Sequence, residues 1–310
     1  MEQEGDTSDE GREGQNLGFR WSDLPPEVQL EVIELLSRTY RSRGQSFLST
    51  QEKRNSTTPS SEHRLANYAS VCRHWNAFFQ KLLFHSLIIR PQDLALFVFM
   101  TRMHGDLIHH ICLLIELTSY DCSMCGEYDS EGTKTINHAI IKTAVYEFWA
   151  VLNSWEQHYR MSPASPIQDL TFELSIHSPS DSEHYFKEMS IDLLGDDDEP
   201  SIADDPAHGW INGRRNFSSI TNARKAYRRI IGRPTSFVPI YNFSPIPVIK
   251  HFRLRRRCRR LFAPSSLIGI LQSLPGLERL SIESWRSISD RQELNDRRRK
   301  LPHYGCDVRY

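Results

Sequence analysis

Apolar residues in the N-terminal quarter of the chain recur with the period of an α-helix. Over residues 22–38 the apolar stripe consists of Val28, Val32, Leu35 and Leu36, and is widened by Leu30 and Ile33. A second helical pattern runs over residues 64–83, on a stripe of Leu65, Tyr68, Ala69, Cys72, Trp75 and Phe79. The pattern predicts two amphipathic helices, and the breadth of the first stripe indicates more than one partner surface.

The start of the first helix is marked by residues that stabilise helix N-termini. Ser22 or Asp23 can accept hydrogen bonds from the free amides, and Pro25 and Pro26 suit the first turn. Glu27 favours the positive end of the helix dipole. These residues predict that the helix begins close to residue 22.

Beyond Leu83 the pattern apolar-x-x-apolar-x-apolar occurs five times, at residues 84–89, 108–113, 167–172, 249–254 and 277–282. In a strand the last two apolar positions point to one face, and the first turns inward where the strand starts. This pattern is typical of the strand half of a leucine-rich repeat. Helical segments at 93–102, 134–159, 221–231 and 265–273 could each cross the back of the sheet between parallel strands.

These patterns predict an α+β fold, in which a small helical module is followed by an irregular, leucine-rich-repeat-like α/β region. We assign the helical module to residues 21–84 and the repeat-like region to residues 85–285. The remaining segments are a disordered tail at 1–20, a polar insertion at 41–63, a mobile loop at 192–216 and a charged tail at 286–310.

Composition restricts the class of protein without identifying it. The 310 residues are 39% hydrophobic and 25% charged, with a formal net charge of −1, which argues against non-specific coating of nucleic acid. No signal peptide is visible, and the longest apolar stretch, around residues 94–100, is too short to span a bilayer, so we expect no membrane partner. Six scattered cysteines favour a reduced cytoplasmic or nuclear location.

Cys122 and Cys125 have the spacing of a pair of metal ligands. A structural zinc site needs four ligands, usually two such pairs; His109, His110 and His138 lie within reach in sequence, but no second short Cys/His pair has the usual spacing. We therefore expect no metal and no cofactor, with a reduced loop favoured at this position and Cys122 and Cys125 as weak candidate ligands.

Residues 180–184 contain a serine, two acidic residues and a histidine, the residue types of a hydrolase triad. Adjacent residues cannot surround one substrate atom in the required arrangement, so we expect instead that Ser180 caps a helix and Glu183 closes a capping box. No phosphate-binding glycine loop or zinc-protease helix occurs either. The sequence predicts a protein without a catalytic site of its own.

The segment at 250–260 is rich in arginine, and Arg253, Arg255 and Arg257 are candidate contacts to an acidic or phosphorylated target. A solvated rim balanced by the acidic residues at 196–205 explains the same arginines equally well. Nucleic acid is the weaker interpretation, because no aromatic residues are interleaved to stack on bases.

The helical module resembles an F-box. The similarity rests on Leu24, Pro25, Glu27, Ile33 and Leu36, and on the run Ala69-Ser70-Val71-Cys72-Arg73-x-Trp75. It covers about residues 24–84, and the polar insertion at 41–63 replaces the short link between the first and second helices of the family. The runs at 71–79, 178–184 and 274–278 are similar to filamentous-fungal F-box proteins that carry a leucine-rich-repeat-like region.

The resemblance implies a substrate-recruiting adaptor of a cullin–RING ubiquitin ligase of the SCF type, in the pathway of ubiquitin conjugation. Its partners would be a Skp-type adaptor, a cullin held through that adaptor, and an unknown protein target. The candidate adaptor contacts are Leu24, Pro25, Val28, Ile33, Leu36 and Leu65, and the candidate F-box core residues are Val71 and Trp75. Two alternatives stay open: a non-proteolytic interaction scaffold, and an enzyme built on the Cys and His residues, which stoichiometric zinc would favour.

Overall fold

The computed structural model describes residues 21–41, 61–160, 169–187, 204–215, 220–231, 234–235, 243–255, 258–283 and 308–309. The chain divides into two compact units, residues 1–42 and 43–310. The tail predicted at 1–20 lies outside the described residues, as do most of the insertion at 41–63, the first part of the loop at 192–216, and all of the tail at 286–310 except 308–309.

The described residues contain seven α-helices: α1 (Pro26–Arg41), α2 (Ser61–Ala69), α3 (Arg73–His85), α4 (Leu94–His104), α5 (Glu131–Arg160), α6 (Ile220–Ile231) and α7 (Pro264–Gln272). The helical pattern over residues 64–83 is divided between two helices, because α2 ends at Ala69, a turn follows at Ser70 and Val71, and the extended backbone of Cys72 precedes α3. The side-chain amide of Asn76 donates to the carbonyl of Ala69 at 3.0 Å, which ties α3 to the end of α2.

Eight strands occur in the same residues: β1 (Ser86–Ile89), β2 (His110–Glu116), β3 (Leu170–His177), β4 (Trp210–Ile211), β5 (Arg214–Arg215), β6 (Ile249–Leu254), β7 (Arg279–Ile282) and β8 (Val308–Arg309). The main sheet has the order β1-β2-β3-β6-β7-β8, and β4 and β5 form a separate hairpin. Strands β1, β2, β3, β6 and β7 pair in parallel, while β8 is antiparallel to β7. The predicted mixture of helices with a parallel sheet is confirmed.

The strand register agrees with the sequence pattern at four of its five occurrences. One row across the parallel strands consists of Leu87, Ile111, Phe172, Phe252 and Leu280. The pattern placed Leu170 in this row, so the predicted register of β3 was wrong by two residues. Because side chains in a strand alternate with a period of two, the shift leaves the same residues on the same face.

The apolar face of the sheet is covered by α4, α5 and α7 and forms the main core. Phe172, at the centre of the sheet, lies 5.2 Å from Phe148 and 5.6 Å from Phe252 between ring centroids. Phe148 also stacks on Phe97 of α4 at 6.2 Å. All four rings are almost completely buried, as the apolar positions of the pattern require.

The opposite face of the sheet carries polar residues in its centre. His110 of β2 and Arg255, which follows β6, both approach the buried carboxylate of Glu173 on β3, at 3.2 and 3.4 Å. At the first strand, Arg90 pairs with Glu116 at 3.2 Å. The carboxyl ends of β2 and β3 lead from this sheet into loops rich in cysteine, histidine and charged residues.

Candidate functional site

Helix α1 carries five of the six expected adaptor contacts at its start or along its length, and they differ in exposure. Pro25 and Val28 are exposed, whereas Leu24 and Leu36 are half-buried. Ile33 is completely buried, so its predicted place on a docking surface was wrong. On a helical projection Ile33 lies between Leu36 and Leu30, on the side of the helix that also carries the buried Ser37.

The sixth expected contact and the two expected core residues lie on α2 and α3. Leu65 is 1% exposed and therefore unavailable to a partner, so that prediction was also wrong. Trp75 is buried, with its ring 5.9 Å from Tyr68 and 5.6 Å from Phe79, as a core residue should be. Val71 is 59% exposed, because it lies in the turn between the two helices, and its assignment to the core was wrong.

The arginines expected to contact a target alternate with core residues, as predicted. Phe252 and Leu254 are buried, while Arg253 and Arg255 are half-buried on the other face of the sheet. Arg255 pairs with the buried Glu173, which gives this arginine a structural role at the sheet surface. The third candidate, Arg257, lies outside the described residues.

Four residues with metal-binding side chains come together beyond the carboxyl ends of β2 and β3. They are Cys122, Cys125, His184 and His208, and their ligand atoms all lie within 4.8 Å of one another. Three separate segments supply them: a turn after β2, the 3₁₀ turn region after β3, and the segment that leads into the β4–β5 hairpin. Part of the loop predicted at 192–216 therefore has a regular structure and contributes to this cluster.

The distances within the cluster suit coordination of one ion. The Nε2 atom of His208 lies 3.3 Å from the sulfur of Cys122 and 3.3 Å from the sulfur of Cys125. Metal–sulfur bonds of about 2.3 Å and metal–nitrogen bonds of about 2.0 Å place sulfur and nitrogen roughly 3.5 Å apart on the edges of a tetrahedron. The observed separations are close to that value.

The orientation of His208 is fixed by a second group of residues. Its Nδ1 atom lies 2.8 Å from Oδ2 of Asp205, so that Nδ1 carries the proton and Nε2 is left as the electron-pair donor facing the two sulfurs. Lys187 approaches the same carboxylate oxygen at 2.8 Å. Although burial opposes the charged form, hydrogen bonds from Lys187 and from the Nδ1–H group of His208 lower the pKa of Asp205.

His184 is held by its backbone and by its neighbours. The indole nitrogen of Trp210 donates to the carbonyl of His184 at 2.9 Å, and the imidazole rings of His184 and His208 lie 4.9 Å apart. The Nε2 atom of His184 is buried and makes no hydrogen bond within the described residues, but the carboxylate of Glu183 lies 4.0 Å from it. Burial, together with the nearby His208, lowers the pKa of the His184 imidazole.

The two cysteines differ in their surroundings. Cys125 is 5% exposed, and burial followed by the proximity of Cys122 raises the pKa of its thiol to about 11. Cys122 is exposed at the edge of the cluster, which leaves a route from solvent to the four ligand atoms. No disulfide links the two residues.

A buried charged network lies beside the cluster and joins the same loops. Arg260 donates to both carboxylate oxygens of Asp181, at 2.9 and 3.4 Å, and both side chains are almost completely buried. The hydroxyl of Tyr120 donates to Asp181 at 3.2 Å, and the guanidinium of Arg229 lies 4.3 Å from the centre of the Tyr120 ring. Arg229 in turn pairs with Asp129 at 3.0 Å.

The capping expected at residues 180–184 is present at a different position. The backbone amide of Ser178 donates to Asp181 at 2.8 Å, which forms a capping box of Ser178 with Asp181 instead of Ser180 with Glu183. The hydroxyl of Ser180 instead accepts from the amide of Tyr120 at 3.1 Å. The segment is structural as expected, but its final residue, His184, belongs to the Cys/His cluster.

The cysteine pair could be recognised in the sequence, whereas its two histidines could not. His184 and His208 are 24 residues apart in the chain, so they never form the short second pair that sequence reasoning requires. The available signal was the spacing of Asp205 and His208, which places a carboxylate beside a histidine within one turn. Neither His109, His110 nor His138, the histidines nearest to the cysteine pair in sequence, takes part.

Comparisons with known proteins do not assign the chain to a family. No protein-family model, curated protein or solved structure matches the chain. Among the helices in the described ranges, none combines the length and the apolar character needed to cross a bilayer.

Proposed function

We propose that this protein is the target-recruiting adaptor subunit of an SCF-type cullin–RING ubiquitin ligase, and that α1 contributes to binding a Skp-type adaptor. The observation that carries the proposal is the combination of an F-box-like sequence with a helix that leaves large apolar side chains exposed. On α1, Val28 is 38%, Leu30 48% and Leu35 52% exposed. Exposed apolar side chains grouped on one element are typical of a surface that a partner covers.

The helical positions of these residues define where the partner would lie. Val28 and Leu35 are seven residues apart and lie on nearly the same side of α1, at one edge of its apolar stripe. Leu30 lies at the other edge, with the buried Ile33 between them. The edge formed by Val28 and Leu35, together with the exposed Pro25 at the start of the helix, is the proposed adaptor contact.

The second unit supports the target-binding half of the proposal. Helices α2 and α3 pack through Tyr68, Trp75 and Phe79, and α3 continues without a loop into β1. The parallel strands with helices on one side are the arrangement that a leucine-rich-repeat-like region would have, and the other side is buried over β1–β3 but carries partly exposed residues at β6. At β6 that side carries half-buried Arg253, which suits an acidic or phosphorylated protein target, whereas Arg255 is already paired with Glu173.

The mechanism follows from tethering and needs no catalytic residue on this chain. An adaptor that holds its target close to a ubiquitin-loaded enzyme raises the effective concentration of the reacting lysine. The chemistry belongs to the other subunits, and the location would be the cytoplasm, the nucleus or both. A scaffold without proteolytic function would use the same adaptor contact but would not bring a cullin with it.

Co-purification tests the proposal directly. The double variant Leu24→Ala/Pro25→Ala should lose the Skp-type adaptor in a pull-down, because truncating an interface anchor costs about 2–4 kcal/mol of binding free energy. Leu96→Ala is the matched control, since Leu96 is a 47% exposed leucine on α4, away from the F-box-like sequence, and should keep the adaptor.

The cullin is the second readout of the same experiment. Wild-type protein that captures the adaptor together with a cullin supports the ligase function, whereas the adaptor without a cullin supports the scaffold. Equal capture of the adaptor by the double variant and by the wild type contradicts the proposed contact.

A further inference from the structure

We propose that Cys122, Cys125, His184 and His208 form a structural zinc(II) site. Two thiolates and two imidazoles are a donor set that zinc binds with tetrahedral geometry, and the four ligand atoms already lie within 4.8 Å of one another. The site is independent of the proposed adaptor function and stands whether or not a partner binds α1.

The residues that hold His208 in place support this assignment independently of the distances between the four ligand atoms. Asp205 holds His208 through Nδ1, which directs Nε2 towards both sulfurs. A carboxylate that orients a histidine in this way is the usual arrangement around protein-bound zinc. The imidazole of His184 supplies the fourth ligand atom, and its buried Nε2 makes no hydrogen bond among the described residues, with Glu183 at 4.0 Å.

Charge balance also favours a divalent ion here. Two thiolates and one Zn²⁺ sum to zero, so the occupied centre adds no net charge to a largely buried region. The neighbouring charges are already compensated, because Asp205 pairs with Lys187, Asp181 with Arg260 and Asp129 with Arg229.

Four protein ligands fill a tetrahedral zinc ion and leave no position for water or substrate. The role of the ion is therefore to join three segments that are distant in sequence: the turn at Cys122–Met124, the region after β3, and the segment leading into the β4–β5 hairpin. Local packing there rests on a small cluster that includes Tyr185, Phe186 and Ala223, so a metal link is an effective substitute for a larger core.

Metal analysis of the intact protein, purified without chelators under reducing conditions, tests the assignment. The expected result is about one zinc per chain in the wild type and a large loss in Cys122→Ser. Cys72→Ser is the matched control, because both cysteines are exposed and only one belongs to the cluster, and it should retain zinc. Asp205→Asn should weaken zinc binding roughly 10–100-fold in a competition with a chromogenic chelator.

Cobalt substitution covers the case in which a variant does not fold. Wild-type protein reconstituted with Co²⁺ should show the intense visible bands of a tetrahedral ion and a thiolate charge-transfer band, and stoichiometric Zn²⁺ should remove both. Absence of zinc together with absence of these bands overturns the proposal. A disulfide between Cys122 and Cys125 in protein freshly purified under reducing conditions also overturns it. Full zinc retention by a folded Cys122→Ser variant contradicts it equally.

Discussion

Helix α1 and the loops at the carboxyl ends of β2, β3 and β6 depart from the usual distribution of side chains in opposite ways. On α1 large apolar residues are exposed, with Leu35 at 52%, whereas in the loops charged residues are buried, with Asp181 at 1% and Arg260 at 7%. Exposed apolar surface is best explained by a partner outside the chain, and buried charge by compensation within it. The difference separates the part of this protein that is proposed to bind another subunit from the part that holds its own loops together.

Breaking the internal compensation should have the largest effect. Arg260→Met leaves the carboxylate of Asp181 buried without its cation, and we expect the free energy of unfolding to fall by about 3–5 kcal/mol. Urea denaturation measures the change. The control is Lys250→Met, because the Lys250–Glu278 pair is partly exposed, at 31% and 57%, and should contribute less than about 1 kcal/mol. An equal loss of unfolding free energy in the two variants would contradict the larger contribution expected from the buried ion pair.

The same loops should make stability depend on pH. Burial first, and then the positive charge of Arg259, Arg260 and Arg90 against the opposing charge of Asp181, lowers the pKa of His177 to about 4 from its ordinary value of 6.5. The unfolded chain therefore binds the proton more readily, so this contribution is complete above about pH 6.5 and is lost as the pH falls towards 4. Its size is about 3 kcal/mol.

Urea denaturation at several pH values, in the wild type and in His177→Gln, isolates this residue. The variant should lose stability less steeply between pH 6.5 and 4 than the wild type does. Parallel profiles for the two proteins would show that His177 does not carry the dependence.

The smallest effect on stability is expected on α1, from its exposed residues. Leu35→Ser should change the free energy of unfolding by no more than about 0.5 kcal/mol, because its side chain already contacts water. Ile33→Ala, two positions away and completely buried, should cost about 2–5 kcal/mol. Thermal or urea denaturation of the two variants measures both changes. Similar losses of unfolding free energy would contradict the uneven exposure of residues along α1.

The elements of the sheet could be predicted because their signal is local. Phe252 and Leu254 alternate with Arg253 and Arg255 within one strand, and this alternation alone identifies the buried face. The register of β3 could not be fixed in the same way, since the alternating residues Leu170, Phe172 and Leu174 are all apolar and buried, and the pattern fits either choice. Only pairing with β2 selects between them.

The Cys/His cluster could be predicted only in part, because most of its information is non-local. Cys122 and Cys125 are close in sequence and were recognised, but His184 and His208 meet them only after β3 and the segment leading to β4 have taken their places. The exposure of Val71 could not be predicted either, although its cause is local. Its apolar character fits a continuous helix, and a turn that the periodicity does not reveal places it in solvent.

The central claim, that α1 binds a Skp-type adaptor through its exposed apolar edge, is tested most directly by calorimetric titration of the purified chain with the purified adaptor. We predict a one-to-one complex for the wild type and for Leu30→Ser. For Val28→Ser/Leu35→Ser we predict binding at least about 30-fold weaker, which corresponds to the loss of roughly 2 kcal/mol. No measurable binding by the wild type, or equal affinity in the double variant, would contradict the account.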